Sequence, residues 1–436
     1  MTITPFRVGW LILSACLYAL VGYNTPRGQF PMLAGFALFL FWGYLLRIRT
    51  LTDDTRPDRF LFMAAILFRL LLLLAPPQLS DDYFRFIWDG RLVAQGFNPY
   101  LYLPGTIVNA VSGLDEVLLQ LLNSPNYYTV YPPLNQLLFG LAATLSPGSI
   151  EGSVFWLRIP VLLAETGCLW LMVQLLKETG KNPNLALLYG LNPLVILELT
   201  GNLHYEGVMV FFVLLAGWLL IRGRLVLAGG AMGLAIATKL LPLILLPLAI
   251  RWLGWRRGML FSVISLGVML LLFIPFFSLE LVQNLFSSLN LYFQKFEFNA
   301  SVYYLFRWLG FRLLGYNAVA LIGPMLSITT FAGILWLSWR NEANQPALLM
   351  RLAGILTLYF LMATTVHPWY LTTLVAAAVF VPVRYPLMWS GLVILSYATY
   401  QTMPYHENLW FTAFEYSALL LFAVREWQQK TVPPDA

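Results

Sequence analysis

Long apolar stretches recur along almost the whole of this 436-residue chain, separated by short polar segments. The first two stretches end near Tyr23 and Leu46, and a third covers Phe60–Pro76. A helix needs about 20 apolar residues to cross the hydrocarbon core of a bilayer. Backbone polar groups in lipid must be satisfied within the segment, so such stretches predict transmembrane α-helices. The pattern predicts an all-α polytopic membrane protein with about 12–14 crossings.

Two stretches depart from this simple pattern. Tyr131–Leu145 is short for a crossing and begins with two prolines, so we predict a re-entrant or interfacial helix. Leu225–Ile250 carries Lys239 and Pro242 in its middle, which predicts a bent hairpin of two short helices. The whole chain, residues 1–436, is predicted to form a single integral-membrane domain.

Basic residues orient the predicted helices. The loop Arg47–Arg59 contains four arginines, which places it on the cytoplasmic side by the positive-inside rule. The N-terminus is then cytoplasmic, as an uncleaved first helix rather than a signal peptide. The next loop, residues 77–130, and a later aromatic-rich loop, residues 278–315, are predicted to lie on the outer side.

Composition narrows the class of protein. Hydrophobic residues make up 59% of the chain and charged residues 11%, which a soluble core could not accommodate. The net charge of +6 comes from Lys and Arg scattered at segment ends, so the partner is the lipid bilayer and no nucleic acid. Both cysteines, Cys16 and Cys168, lie in apolar runs and indicate no disulfide framework.

The segment Leu79–Arg91 concentrates ionisable residues at a predicted membrane edge. It contains Asp81, Asp82 and Asp89 together with two arginines, Arg85 and Arg91. Charges beside hydrocarbon are costly unless they are solvated or paired, so such a cluster indicates a functional site. The plainer interpretation is a set of solvated carboxylates with a helical Asp–Arg pair.

The three histidines, His204, His367 and His406, all fall in predicted external loops. No two have the spacing of metal ligands on one helix, so no metal ligand set is predicted. Hydrogen bonding to a polar substrate is favoured. No cofactor is firmly implied, and a divalent metal ion is left as the minor alternative. Glu165 and Glu198 lie within or at the ends of apolar runs. Each is predicted either to contact the substrate or to join two helices through a pair with Arg158 or Lys239.

Seven motifs resemble one family when they are taken in order. They are Ser80–Gly90 (SDDYFRFIWDG), Gly96–Tyr100 (GFNPY), Tyr131–Leu134 (YPPL), Asn192-Pro193, Glu198–His204 (ELTGNLH), Phe298–Tyr304 (FNASVYY) and His367–Tyr370 (HPWY). This order resembles membrane glycosyltransferases of the C-type fold (GT-C) that use polyprenyl-phosphate sugars. Within that class, the order looks like that of the bacterial polyprenyl-phosphate-mannose-dependent mannosyltransferases.

The resemblance implies a fold and an activity. The fold is the GT-C fold, in which the long first external loop contains short interfacial helices. The reaction moves a sugar, mannose or another hexose or pentose, from a polyprenyl-phosphate donor to a glycan or glycolipid acceptor of the cell envelope. It inverts the anomeric carbon, and it takes place on the outer side of the bacterial inner membrane. The sequence does not identify the sugar, the acceptor or the oligomeric state.

The resemblance also implies roles for single residues. Asp82 is the expected general base that accepts the proton of the acceptor hydroxyl, and Asp81 is the alternative. The leaving phosphate requires cations or hydrogen-bond donors, of which Arg85 and His367 are the first choices. The residues expected to bind the donor phosphate or the substrates are Arg85, Asp89, Arg91, Asn98, Tyr100, Tyr131, Glu198, His204, Glu206, Lys239, Asn299, Arg307, His367, Trp369 and Tyr370.

A transporter or flippase of sugars or lipid-linked substrates is the competing function. Such proteins often contain two related halves and place ionisable residues near the middle of the bilayer. This chain shows no apparent repeat, and its ionisable residues concentrate in one outer layer. The pattern therefore favours a glycosyltransferase.

Overall fold

The computed structural model describes residues 4–51, 56–340 and 345–431. Residues 52–55 of the predicted cytoplasmic loop Arg47–Arg59 lie outside the described residues. The α-helices, in chain order, are α1 (Pro5–Asn24), α2 (Phe30–Ile48), α3 (Arg59–Leu71), α4 (Asp82–Ala94), α5 (Pro104–Ile107), α6 (Glu116–Leu121), α7 (Pro133–Leu145), α8 (Ile150–Glu178), α9 (Leu187–Gly190), α10 (Pro193–Val195), α11 (Glu206–Ile221), α12 (Leu225–Thr238), α13 (Leu246–Leu253), α14 (Trp255–Phe273), α15 (Leu279–Lys295), α16 (Val302–Leu314), α17 (Val319–Trp339), α18 (Gln345–Met362), α19 (Leu371–Ala378), α20 (Tyr385–Leu392) and α21 (Leu409–Thr431).

Tighter or wider turns connect several of these helices. The 3₁₀ segments are Pro183–Ala186, Leu241–Leu245, Ile274–Phe276, Pro368–Tyr370 and Val393–Gln401, and Ile196–Gly201 forms a π-helical turn. Within the described residues, β-pairing takes the form of an isolated parallel bridge between Phe298 and Thr365. The predicted all-α class is therefore confirmed.

Helices long and apolar enough to cross a membrane number five in the part of the chain that the structure describes. They are Pro5–Asn24, Phe30–Ile48, Ile150–Glu178, Trp255–Phe276 and Val319–Trp339. The pair Pro183–Gly190 and Pro193–Gly201, bent by 57°, would make a sixth. These helices confirm a polytopic membrane protein, whereas the count of 12–14 crossings and the orientation stay predictions.

The chain divides into two compact units. Unit one comprises Met1–Ala65, Leu176–Ile196 and Phe293–Ala436, and unit two comprises Ile66–Leu175 and Leu197–Tyr292. The predicted external loop 77–130 belongs to unit two, and most of the loop 278–315 belongs to unit one. The prediction of a single domain over residues 1–436 stays a prediction.

Helices α4 and α7 form a close pair in unit two. Phe86 of α4 stacks on Phe139 of α7 with ring centroids 4.6 Å apart. The backbones approach at Gly90, where an added Cβ would lie 2.4 Å from the carbonyl oxygen of Phe139. The apolar stretch Tyr131–Leu145 thus becomes a 13-residue helix packed against the acidic segment. Whether it is interfacial stays a prediction.

The apolar run around Lys239 is interrupted where the sequence predicts a break. Helix α12 ends at Thr238, and Lys239 has an extended backbone with φ −154° and ψ 138°. A 3₁₀ segment containing Pro242 follows and leads into α13. Proline lacks the N–H that a continuous helix would need here.

A buried ion pair joins α3 to α8. The guanidinium of Arg69 donates to Oε2 of Glu165 at 3.1 and 2.9 Å, and both side chains are fully buried. The partner of Glu165 is therefore Arg69, and the expectation of Arg158 or Lys239 is corrected. Arg158 instead donates to four backbone carbonyls, those of Leu73, Ala75, Thr200 and Gly201.

Replacing Gly90 with Ala should destabilise the α4–α7 pair. The added methyl meets backbone atoms, which cannot rotate away, and overpacking of this kind costs about 1–3 kcal/mol. Thermal unfolding of the purified protein in detergent would measure the loss. Gly217→Ala in α11 is the matched control, because its Cβ would enter open space. Equal unfolding temperatures for the two variants would contradict the close approach.

Replacing Arg69 with Leu should destabilise the protein by about 3–5 kcal/mol, since it leaves the buried carboxylate of Glu165 without its cation. The double variant Arg69→Met with Glu165→Leu should recover much of that loss, because it removes both charges. Unfolding in detergent measures all three proteins. A single variant as stable as the wild type would disprove the structural role of the pair.

Candidate functional site

The two candidate bases lie at the start of α4. Asp81 immediately precedes the helix, and Asp82 is its first residue. Oδ1 of Asp82 accepts a hydrogen bond of 2.6 Å from the side-chain amide of Asn123. Both aspartates are half-buried and Asn123 is exposed. The carboxylate of Asp82 is thus accessible to solvent and held by a neutral donor.

One turn further along α4, Arg85 and Asp89 form a buried ion pair. Nε of Arg85 donates to Oδ1 of Asp89 at 2.8 Å, with side-chain exposures of 3% and 0%. Nη1 of Arg85 donates to the carbonyls of Ser124 and Tyr127 at 3.1 and 2.9 Å. Gln136 of α7 donates to the other oxygen of Asp89 at 3.1 Å. These contacts fix the loop before α7 onto α4.

The predicted roles of Arg85 and Asp89 in binding the substrate stay predictions. In this structure, their buried groups contact each other and the loop that follows α6. These contacts give the pair a second role, which is to hold the surroundings of Asp82. Trp88 of the same helix is fully buried.

Arg91 lies at the last turn of α4 and donates to the carbonyl of Gly113. Burial lowers the pKa of Arg91, and the nearby carboxylate of Asp115 opposes that shift. Gly113 has a φ of +79°, which brings its backbone against the guanidinium. Arg91 therefore anchors the loop between α5 and α6.

Asn98 and Tyr100 connect the first external loop to two other segments. The amide of Asn98 donates to the carbonyl of Phe276 at 2.7 Å, and its Oδ1 accepts from the backbone N–H of Tyr100. The hydroxyl of Tyr100 donates to the carbonyl of Tyr131 at 2.7 Å. Burial raises the pKa of Tyr100 well above its usual value. The ring of Tyr131 packs edge-on against Phe86 at 4.9 Å.

The motif Glu198–His204 forms a compact turn. Nδ1 of His204 contacts the carbonyl oxygen of Glu198 at 2.9 Å and its Oε2 at 3.4 Å. Leu203 has a φ of +63°, which turns the backbone back on itself. Asn202 accepts from the backbone N–H of Leu79 at 2.9 Å. The turn is therefore tied to the residues that lead into α4.

Glu206, two residues after His204, forms an ion pair with Lys239. The carboxylate is buried at 4% exposure, while the Lys239 side chain is 34% exposed. The amide of Asn135 in α7 donates to the carbonyl of Thr238 at 2.8 Å, beside Lys239. An accessible cation with a buried counter-charge is suited to binding an anion.

Contacts within unit two bring these groups into one region. Besides the Leu79–Asn202 bond, the rings of Phe86 and Tyr205 meet edge-on at 5.8 Å. The structure thus gathers the start of α4, the His204 turn and the end of α12. The predicted site residues that unit two contains are Asp81, Asp82, Arg85, Asp89, Arg91, Asn98, Tyr100, Tyr131, Glu198, His204, Glu206 and Lys239.

The remaining predicted residues belong to unit one. They are Asn299, Arg307, His367, Trp369 and Tyr370. The imidazole of His367 is stacked between Phe298 and Trp369, with centroid distances of 4.8 and 4.4 Å. The ring of Tyr370 meets it edge-on at 5.4 Å.

Asn299 is the centre of a polar network that the sequence did not predict. Its φ is +46°, its N–H donates to Glu407 at 2.7 Å, and its amide donates to Glu415 at 3.2 and 3.3 Å. Burial raises the pKa of Glu407. In the sequence, the feature that could have pointed to Glu415 is its position as a carboxylate within an apolar stretch, which forms helix α21. Arg307 pairs with Glu297.

No group of three His, Cys, Asp or Glu side chains suited to a metal ion occurs among residues 4–51, 56–340 and 345–431. Carboxylates of the candidate site have protein side chains as partners. Asp82 accepts a hydrogen bond from Asn123, and Glu206 pairs with Lys239.

Comparison with known proteins identifies the family. Residues 3–254 match the family model described as alpha-(1->6)-mannopyranosyltransferase, N-terminal domain. Alpha-(1->6)-mannopyranosyltransferase A of Corynebacterium glutamicum is 30% identical over 189 residues, 43% of this chain and 37% of that protein. The Mycobacterium tuberculosis protein of the same name is 29% identical over 194 residues, 43% of this chain and 36% of that protein.

A further relative, alpha-(1->6)-mannopyranosyltransferase B of Corynebacterium glutamicum, is 28% identical over 157 residues, 35% of this chain and 25% of that protein. The matched segments cover little more than a third of each relative, or less. The family match includes the α4 cluster and Lys239, and the His367 motif lies beyond it. The resemblance to bacterial mannosyltransferases is confirmed. Because the family model matches more than half of this chain, the chain belongs to the alpha-(1->6)-mannopyranosyltransferase family.

Proposed function

We propose that this chain is a mannosyltransferase that moves mannose from a polyprenyl-phosphate donor to a mannose-containing glycan or glycolipid. The names of its relatives support an α-(1→6) linkage. The reaction takes place at the outer face of the bacterial inner membrane, the side to which the arginine-rich loop directs residues 77–130. The observation that carries the proposal is an accessible carboxylate, Asp82, in the same unit as an accessible cation, Lys239.

The proposed reaction is a single displacement at the anomeric carbon. The acceptor hydroxyl oxygen attacks that carbon and its proton passes to the carboxylate of Asp82. The bond between the carbon and the phosphate oxygen breaks, and its electron pair leaves with the polyprenyl phosphate. One displacement inverts the carbon, so a β-linked donor gives an α-linked product. That stereochemistry agrees with the relatives' names.

Negative charge grows on the phosphate as it leaves, and a cation must stabilise it. Among the predicted site cations of unit two, Lys239 is the most exposed, since its side chain is 34% exposed, whereas that of Arg85 is 3% exposed. Glu206 holds the ammonium in place before the donor binds. Arg91, Arg307 and His367 stay predicted phosphate ligands, with a role that depends on where the donor lies.

Replacing Asp82 with Asn should lower turnover about 10²–10⁴-fold, since only the proton acceptor is lost. The assay follows labelled mannose from synthetic polyprenyl-phosphate mannose to an alkyl α-(1→6)-mannobioside, with release of polyprenyl phosphate. Asp115→Asn is the matched control, because Asn also caps the start of α6. Turnover above ~10% in the Asp82 variant would reject this base and make Asp81→Asn decisive. Transfer of mannose from a nucleotide sugar, with no lipid intermediate present, would show that the donor is not polyprenyl-phosphate mannose.

Replacing Lys239 with Ala should lower kcat about 10²–10³-fold, because its charge stabilises the leaving phosphate. Lys239→Arg should restore part of the rate, since it keeps the charge but changes the geometry. Lys177→Ala, at an exposed position near the end of α8, is the control and should behave as the wild type. Wild-type kcat for Lys239→Ala would place the phosphate elsewhere, with Arg307 and His367 tested next.

A further inference from the structure

We infer that Asn123 is a positioning residue for the general base. Its side-chain amide fixes the carboxylate of Asp82, so that the second carboxylate oxygen is directed at the acceptor hydroxyl. The inference rests on the proposed function, in which Asp82 accepts the proton of the acceptor. It gives a specific task to a loop residue that lies outside every motif of the sequence.

The contact between the two side chains is short and connects distant parts of the chain. Nδ2 of Asn123 lies 2.6 Å from Oδ1 of Asp82, and the residues are 41 positions apart. Hydrogen bonds to an ionised acceptor are shorter and stronger than those between neutral groups. The partly exposed position of the pair keeps it within reach of a substrate.

The loop that carries Asn123 is held by the same helix that carries Asp82. Arg85, three residues after Asp82, donates to the carbonyl of Ser124, the neighbour of Asn123. Helix α4 therefore contacts adjacent loop residues through two side chains one helical turn apart. Arg85 is itself fixed by the fully buried Asp89. Arg85 therefore holds the backbone next to Asn123 beside α4.

The chemistry of the donor suits a general base. An amide orients a carboxylate without adding a positive charge, whereas a cation at the same place would favour the ionised form and weaken its basicity. A lysine or arginine at this position would also compete with the hydroxyl proton for the carboxylate. A neutral donor orients the carboxylate without placing a positive charge beside it.

The test compares Asn123→Ala with Asn126→Ala, an exposed asparagine of the same loop. The probes are synthetic polyprenyl-phosphate mannose and an alkyl α-(1→6)-mannobioside. Asn123→Ala should lower kcat about 10-fold, the value of one hydrogen bond to a charged group, with the KM for donor nearly unchanged. Asn123→Gln should recover part of the rate because it retains the amide. Asn126→Ala should match the wild type.

A double-mutant cycle separates positioning from a loss of folded protein. In Asp82→Glu the carboxylate is displaced by one methylene, so the amide no longer holds it correctly. Asn123→Ala should therefore cost less than about twofold in that background, because residues that act together are not additive. If Asn123→Ala lowers kcat by the same factor in the wild type and in Asp82→Glu, the role of Asn123 is structural and the inference is overturned.

The outcomes distinguish this inference from the proposed function. If Asp82→Asn abolishes transfer and Asn123→Ala keeps wild-type kcat, only the positioning role is rejected. If the wild type transfers no mannose from the lipid donor, the proposed function is rejected and the inference with it. If the wild type transfers mannose but Asp82→Asn keeps full turnover, the assignment of the base and this inference are rejected, while the transferase activity stands. An inactive Asp82→Asn, an impaired Asn123→Ala and a weakened effect in Asp82→Glu together support both.

Discussion

The buried ion pair between Arg85 and Asp89 is the interaction on which the organisation of the candidate site depends. Removing two charges from water costs several kcal/mol for each ion, and only full hydrogen bonding offsets this cost. Arg85 donates to the carbonyls of Ser124 and Tyr127, and Asp89 accepts a hydrogen bond from the amide of Gln136. The requirement to satisfy the pair determines the path of the loop between α6 and α7. That path in turn brings Asn123 to Asp82.

The same requirement explains other polar groups inside this membrane protein. Arg69 and Glu165 neutralise each other between two helices. Arg158 donates hydrogen bonds to carbonyls at the end of the α3 region and in the turn before His204. Backbone carbonyls that leave a helix within an apolar environment need such donors. Arg158 therefore stabilises buried carbonyls at the end of the π-helical turn Ile196–Gly201 and after α3.

The sequence predicted what local patterns can determine. Apolar stretches predicted the all-α class, Lys239 and Pro242 predicted the break after α12, and the motifs predicted the family. The partners of single charges were not predictable, because pairs such as Arg69–Glu165 lie 96 residues apart and depend on how helices pack. Asn123 and Glu415 were missed for the same reason, since each gains its role from a distant residue. The roles of Asp82 and the phosphate ligands stay predictions.

The stack around His367 restricts how that side chain can be used. Phe298 and Trp369 cover the two faces of the imidazole, and the ring of Trp369 is within 3° of parallel. A ring enclosed in this way exchanges hydrogen bonds only in its own plane, through its two nitrogen atoms. Rotation of the ring out of that plane would have to displace two aromatic side chains. The stack thus fixes the directions in which the two ring nitrogens of His367 can exchange hydrogen bonds.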